Sequence, residues 1–445
     1  MGGPEFAIAI ITILMGMIIF SIPIVISLGL CSYFGLAYLT GSFSVAGSLL
    51  SNTAYESIRE YVFAVIPLFV LMGEFIARSG AASDLYSIIN RSLKRLPGRL
   101  AIATVAGNAV FGAVTGVSIA SAAAFSRIAY PQMVRHGYDK SVALGSIAGS
   151  ACLGMLIPPS VLLIVWGVLA EISIGQLFVA AIIPGILLAI MFIIFVVGYA
   201  TLSPRKFGVQ TALDDVDDRP LDDAECARRH RENIGGIGVL ILIMTVLGGI
   251  WIGVFTPTEA AGVGVLFALI LAILRGVNLR GIGDAILETG RISAPLLFLL
   301  ITAQMYSRLL ALGGIIDFVQ SLFLAIGDGP ILILILMVVV WFVLGMFIDS
   351  VSIILLTVPI FAPLASTLGY EPLAFAIIGI VAIEAGLLTP PLGLCVYTVK
   401  GCVSDPDATL ARIFMGSIPY WVILLLLIVI IATVPAIATW LPSRM

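Results

Sequence analysis

Long apolar runs with no charge in them recur from one end of this chain to the other, and they decide what it can fold into. None of residues 6–55, 100–126, 141–170 or 172–204 is Asp, Glu, Lys or Arg. The same holds for 234–258, 260–274, 292–307, 330–348, 350–370, 385–399 and 413–443. A bilayer core takes about 20 apolar residues as helix, so most of these runs meet or approach a span. They are continuous rather than alternating, which excludes a β-barrel. With 61% hydrophobic and 11% charged residues, the chain is not an ordinary water-soluble enzyme, a disordered segment or a disulfide-stapled scaffold. A net charge of −3 with dispersed basic residues leaves no footprint for nucleic acid. Of its five cysteines, four lie in or beside apolar runs, where they pack as small hydrophobes. The first run lacks a basic leader and is read as a resident span rather than a cleaved signal. The expected class is an all-α polytopic membrane protein.

Orientation follows from Lys and Arg, which favour the cytoplasmic side. Arg91, Lys94, Arg95 and Arg99 form one basic loop, and Arg135 and Lys140 belong to the next. The segment between them leaves and returns on one side, so it is two short crossings or a re-entrant hairpin. Its small, polar centre, Phe111-Gly-Ala-Val-Thr115-Gly-Val-Ser118, favours a hairpin tip buried in protein. No basic residue stands between Arg308 and Lys400, so 330–365 is read as a second hairpin entering from outside, with Asp349, Ser350 and Ser352 at its tip. About nine full crossings and two hairpins result, with 31–60 and 313–327 as candidate surface-lying helices. The loop 203–233, with eight acidic and six basic residues, is expected to be a solvated cytoplasmic connector.

The sequence also repeats itself at an offset of 232 residues. Pro131 matches Pro363, Gly137-Tyr138 matches Gly369-Tyr370, and Gly154 matches Gly386. Leu156-Ile-Pro158-Pro159 matches Leu388-Thr-Pro390-Pro391, and Gly112 pairs with Gly345 if one residue is inserted. An odd number of crossings separates the copies, so they face opposite ways. Oppositely oriented repeats with interrupted helices are a transporter architecture whose site lies near the midplane.

Consecutive prolines remove two backbone donors and break the helix, leaving carbonyls without intrahelical partners. In lipid those carbonyls need a partner, and a dehydrated cation such as sodium is a good one. The half-helix after each break offers N–H groups suited to a carboxylate. Each copy pairs a hairpin tip with a broken helix, which points to two cation sites flanking one anion site; a simple proline kink is the alternative.

Ionisable residues inside the membrane are functional candidates by default. Asp349 stands alone among some forty uncharged residues, either as a ligand for sodium, proton or substrate or as a cap for the second hairpin arm. Glu384, two residues before Gly386, is placed to stabilise the broken helix or a nearby cation. Glu259 reads as a helix start capped by Thr256 or Thr258. Glu74 and Arg78 are spaced to pair on one helix face. Arg127 and Arg308 are expected to snorkel to an interface, where Tyr420, Trp421 and Trp440 serve as aromatic anchors. No phosphate or dinucleotide loop is present, so a gradient rather than ATP is the expected energy source, and no enzyme activity is indicated.

The motifs Ile66-Pro-Leu-Phe-Val-Leu-Met72-Gly-Glu74, Phe111-Gly-Ala-Val-Thr-Gly116 and Gly154-Met-Leu-Ile-Pro-Pro-Ser160 resemble the large membrane (permease) subunit of the tripartite ATP-independent periplasmic (TRAP) transporters. So do Phe255-Thr-Pro-Thr-Glu259-Ala-Ala, Gly345-Met-Phe-Ile-Asp349 and Gly386-Leu-Leu-Thr389-Pro-Pro-Leu-Gly393. The resemblance covers nearly the whole chain. Thr115-Gly116-Val117 stands where the family more often has Ser-Gly-Ser, and the acidic loop is longer than expected.

What the resemblance implies is sodium-driven uptake of an organic acid (a C4-dicarboxylate, sialic acid or related carboxylate) across the bacterial inner membrane. It also implies two partners, a small membrane subunit and a periplasmic binding protein that delivers substrate. The fold it implies has inverted repeats, each with a re-entrant hairpin and a Pro-Pro-broken helix, working as an elevator. Scaffold segments would be 1–99, 171–202 and 234–328, the moving parts 100–170 and 329–400, with 203–233 the cytoplasmic loop and 401–445 the C-terminal span. Carried over by position, one sodium site uses oxygens near Gly112, Thr115, Ser118 and Gly154, and the other Gly345, Asp349, Gly386 and Thr389. Substrate would sit between the tips, at Thr115, Ser118, Asp349, Ser350 and Ser352. Rival classes are a symporter working without a binding protein and a channel or cation exchanger lined by Asp349.

Overall fold

In the computed structural model, residues 3–93, 96–208, 223–326 and 329–445 are described, and they are helical almost throughout. Seven helices are long and apolar enough to cross a membrane among the described residues, or up to nine if each of two bent helix pairs is one span. The charge-free run 6–55 divides into three helices, Pro4–Ile19, Ile24–Thr40 and Phe43–Arg59. Gly41, with φ of 68°, ends the second of them in the left-handed conformation that glycine adopts without penalty.

The first hairpin consists of Arg99–Thr115 and Ser118–Ile128, joined by Gly116-Val117. Its arms fold back on each other: the Phe111 and Phe125 rings meet edge to face, 6.0 Å between centroids. A methyl group on Gly107 would lie 2.6 Å from the Phe125 ring, so a glycine is what lets the arms close. The second hairpin, Pro330–Gly345 and Ser350–Thr367, closes in the same way, with Trp341 Nε1 donating to Thr357 Oγ1 at 2.8 Å.

Each hairpin is followed by a broken helix. The first comprises Lys140–Ala151 and Leu153–Leu156, then a gap over the double proline, then Val161–Leu169, with a bend of 42°. The second comprises Pro372–Gly386 and Leu394–Cys402. The repeat read from sequence reappears as local geometry. Gly137 and Gly369 both have positive φ, 75° and 79°. Asp139 caps the first broken helix by accepting from Ser141 N, and Glu371 caps the second by accepting from Ala374 N. Both double prolines contain a cis peptide bond.

The two broken helices lie side by side, the start of one against the end of the other. Lys140 Nζ reaches Asp405 Oδ2 at 2.8 Å, just past the end of the second, and Cys152 Sγ reaches the Glu384 carbonyl at 3.8 Å. Trp166 meets Phe375 edge to face (6.0 Å) and Trp341 at a tilt (5.7 Å), and fits only because Gly379 leaves room beside its ring. The helix Leu410–Thr433 joins this core by backbone-to-backbone packing, since a methyl on Gly145 would lie 2.2 Å from Gly416.

The helices Tyr61–Ser79, Pro257–Leu274, Ile24–Thr40 and Leu279–Leu312 form a second group. Gly264 packs on Met72 and Gly35 on Leu309. Pro257–Leu274 starts with the expected cap: Thr256 Oγ1 accepts from Glu259 N while the Glu259 carboxylate accepts from Thr256 N at 2.8 Å.

Several expectations are corrected. Residues 223–233 are not loop, because Asp223–Trp251 is one helix whose polar first turns continue an apolar span; residues 209–222, like Lys94 and Arg95, lie outside the described residues. Tyr420 is not an interface anchor: its ring is buried against Gly149 and Phe192. Arg308, with its side chain 42% exposed, also pairs with Glu56 at 2.5 Å. Glu74 and Arg78 pair as expected, at 3.5 Å.

Candidate functional site

The two hairpin tips meet at one carboxylate. Ser118, first residue of the second arm of the first hairpin, donates through Oγ to Glu384 Oε2 at 2.6 Å. Ser350, at the same position in the second hairpin, donates through Oγ to Glu384 Oε1 at 3.0 Å. The three side chains are buried, Glu384 at 1% exposure. A buried carboxylate needs hydrogen-bond donors, and here each oxygen takes its donor from a different hairpin.

Beside this junction, each hairpin arm lies against its own broken helix through a pair of glycines. A methyl on Gly112 would lie 2.3 Å from Gly154 Cα, and one on Gly345 would lie 2.8 Å from Gly386 Cα. At such distances only hydrogen fits, so the backbones of tip and break are in direct contact. The double prolines carry no N–H for the carbonyls of Gly154, Met155, Gly386 and Leu387 one turn earlier. Two of these oxygens have found hydroxyl donors: Met155 O accepts from Ser160 Oγ at 2.5 Å, and Gly386 O accepts from Thr389 Oγ1 at 2.7 Å.

The residues expected at the site divide into three groups. Gly112, Ser118 and Gly154 come together in the first copy, as do Gly345, Gly386 and Thr389 in the second. Asp349 and Ser352 bond within the second tip, where the Asp349 carboxylate accepts from Ser352 N at 3.0 Å and from Ser352 Oγ, as a helix cap does. Thr115 returns its hydroxyl to the Phe111 carbonyl at 3.1 Å, and its backbone faces Gly73 of Tyr61–Ser79, the glycine of the Met72-Gly-Glu74 motif. Pro158 and Pro159 are buried, whereas Pro390 and Pro391 are exposed.

Two residues were not named as site residues from sequence. Glu384 carried the signal of a charge in an apolar run, but its link to both tips needs the fold. Ser121 is the other. Its Oγ is buried without a hydrogen-bond partner, and a methyl on Gly154 would lie 3.1 Å from it. Its only sequence signal is the Ser118-x-x-Ser121 spacing, which puts both hydroxyls on one helix face. An orphaned buried oxygen next to a glycine-lined close approach fits a small hard cation, which binds oxygen ligands.

A separate cavity of about 740 Å³ lies between the second helix group and the far end of the first broken helix. Its walls include Glu56, Glu60, Glu171, Gln304 and Arg308 and none of the expected substrate residues.

The family model and the sequence relatives agree on one family. Residues 11–437 match the tripartite ATP-independent periplasmic transporter DctM component. The C4-dicarboxylate TRAP transporter large permease protein DctM of Pseudomonas aeruginosa is 33% identical over 88% of this chain and 89% of its own length. The ectoine/5-hydroxyectoine TRAP transporter large permease protein UehC of Ruegeria pomeroyi is 30% identical over 96% of both chains. The sialic acid TRAP transporter large permease protein SiaM of Vibrio cholerae is 28% identical, also over 96% of both. Among solved structures, the YdaH transporter of Alcanivorax borkumensis shares the fold, with a TM-score of 0.59 at 15% identity over 89% of this chain and 88% of that one. The chain therefore belongs to the DctM component family of the tripartite ATP-independent periplasmic transporters, as a large permease subunit that crosses the inner membrane many times.

Proposed function

We propose that this subunit carries an organic acid inward at the expense of a sodium gradient, as the membrane core of a system completed by a small membrane subunit and a periplasmic binding protein. The observation that carries this reading is the convergence of two hairpin tips and two proline-broken helices around buried oxygens. A helix broken at a double proline presents carbonyls that a cation satisfies, and half-helix N-termini suit an anion. Two copies of that arrangement, with the broken helices running in opposite senses, support an inverted repeat with re-entrant hairpins.

The residues that would hold sodium are Gly112, Ser118, Ser121 and Gly154 in the first copy. In the second they are Gly345, Asp349, Gly386 and Thr389, with Thr389 offering lone pairs while its proton stays on Gly386 O. Substrate carboxylate would be received at the helix starts that carry Ser118, Ser350 and Ser352, beside Asp349, through free backbone N–H groups, since the three hydroxyls already donate to Glu384 and Asp349. Its relatives are named for C4-dicarboxylate, ectoine and sialic acid, so the carboxylate is the shared feature on which this site would act. The moving body of an elevator would comprise both hairpins and both broken helices, sliding against the group built on Tyr61–Ser79 and Leu279–Leu312. A relative named as an isethionate permease DctMQ contains this chain's match in 64% of its length, which leaves room there for a further membrane component.

Thermal unfolding of the purified chain in detergent, titrated with sodium against potassium and choline, tests the coupling ion. A ligand at about 100 times its Kd adds roughly 2.7 kcal/mol to a reversible two-state protein. Stabilisation selective for sodium is expected. Equal responses to all three cations would remove sodium from the proposal. Uptake into proteoliposomes that depends on the binding protein separates the tripartite system from a symporter acting alone.

A further inference from the structure

We infer that Glu384 is a positioning residue that couples the two hairpin tips, so that a change in one tip is felt in the other. Ser118 and Ser350 are 232 residues apart, the repeat offset, and so are Cys152 and Glu384. The two tips therefore present equivalent hydroxyls, while the equivalent positions on the two broken helices differ. One is a cysteine, whose Sγ reaches only the Glu384 carbonyl at 3.8 Å. The other is a glutamate long enough to take both hydroxyls, at 2.6 and 3.0 Å. A symmetric pair of short side chains would leave the tips independent; the single glutamate ties them together.

Glu384 also stands two residues before Gly386, against which Gly345 of the second hairpin packs. Its backbone is thus fixed to the second tip, and its Oε2 reaches across to the first. Displacing either serine leaves a buried carboxylate oxygen without its donor, which costs far more than losing a hydrogen bond on the surface. The tips are therefore expected to order together or loosen together. Such coupling is reciprocal: whatever ordering the first tip does for the second, the second does for the first. Its consequence for transport, which rests on the sodium reading above, is that the two cation sites fill cooperatively and a half-loaded carrier is disfavoured.

Hydrogen–deuterium exchange of the full chain in detergent, without sodium, tests the coupling directly. Ser118→Ala is expected to speed exchange in peptides covering 345–352 by about fivefold or more, the lower end of ordinary coupling energies. Ser350→Ala should do the same to 112–121. Glu384→Gln keeps one acceptor and gains a donor, so it should hold both tips near wild-type exchange, whereas Glu384→Ala should free both. Adding Ser118→Ala to Glu384→Ala should change 345–352 no further. Faster exchange confined to the mutated tip in both serine variants would overturn the inference, and those variants suffice if Glu384→Ala does not fold. In uptake assays, Glu384→Ala should lose cooperativity in sodium while Glu384→Gln keeps it; retained cooperativity in Glu384→Ala would also overturn it. Wild-type uptake indifferent to sodium would instead remove the proposed function and leave the exchange result standing.

Discussion

The two repeat copies use the same backbone devices and different charges. Both have a positive-φ glycine before an acidic cap, a glycine pair between hairpin and broken helix, and a double proline at the break. Yet the carboxylates at the junction of the hairpin tips, Asp349 and Glu384, both belong to the second copy, opposite Val117 and Cys152 in the first. The surroundings differ as well. Pro158-Pro159 is buried and the first tip abuts Gly73, whereas Pro390, Pro391 and Phe347 are exposed. What is repeated is the glycine contact that brings hairpin and broken-helix backbones together. What is not repeated is the charge, and it is the Glu384 carboxylate that links the copies.

The largest expected effect tests the shared geometry. Gly112→Ala and Gly345→Ala each push a methyl into backbone that has no flexible side chain to yield, and each should cost about 3 kcal/mol, the upper part of the overpacking range. Thermal unfolding in detergent reads this. If one copy accepts alanine with an unchanged Tm, the two glycine contacts are not equivalent.

Next in size is the asymmetry of charge. Asp349→Ala should abolish sodium-coupled uptake and cost about 1 kcal/mol through loss of the cap. Asp349→Asn should keep most of that stability and still lose coupling, while Val117→Ala leaves both intact. Wild-type uptake by Asp349→Ala would reduce the carboxylate to a cap.

Pro158→Ala and Pro390→Ala should each restore a backbone donor and so weaken sodium affinity in a transport titration. The buried Pro158 should also cost more stability than the exposed Pro390. Sodium dependence unchanged in both would make the breaks simple kinks.

The smallest effect is expected where Lys140, at the start of the first broken helix, pairs with Asp405 and Asp407 beyond the end of the second. Hydrogen bonds from Lys140, Tyr130 and the Asp407 backbone hold the Asp405 carboxyl down from its ordinary 3.8 to about 2. A depressed carboxylate contributes stability above its unfolded pKa and loses it as pH falls through the folded one. The difference in Tm between wild type and Asp405→Asn should therefore be full above about pH 4 and vanish toward about pH 2. A difference independent of pH would mean that the charge contributes nothing.

Much of this fold was legible because lipid is a demanding solvent. A helix with no polar alternative must be apolar over its length, and a break in it must be visible as Gly or Pro. Hence the apolar helices, both double prolines and the cap at Thr256 could be read directly. The reading of Tyr420 failed because of a distant neighbour: it looks like an interface anchor until Gly149 provides it a slot. The Arg308–Glu56 pair is invisible in the sequence for the same reason, its partners standing 252 residues apart.

Periodicity, proline and glycine by themselves determined that this chain is a helical membrane protein built on a repeat, with breaks at 158–159 and 390–391. Those properties arise from each residue's own backbone and its transfer into lipid, so they are written locally. Only the tertiary structure decided that Glu384 receives Ser118 and Ser350, that Ser121 lies orphaned beside Gly154, and that one break is covered while the other is exposed. These depend on distances between segments hundreds of residues apart, which hydropathy does not encode because every such segment is equally apolar.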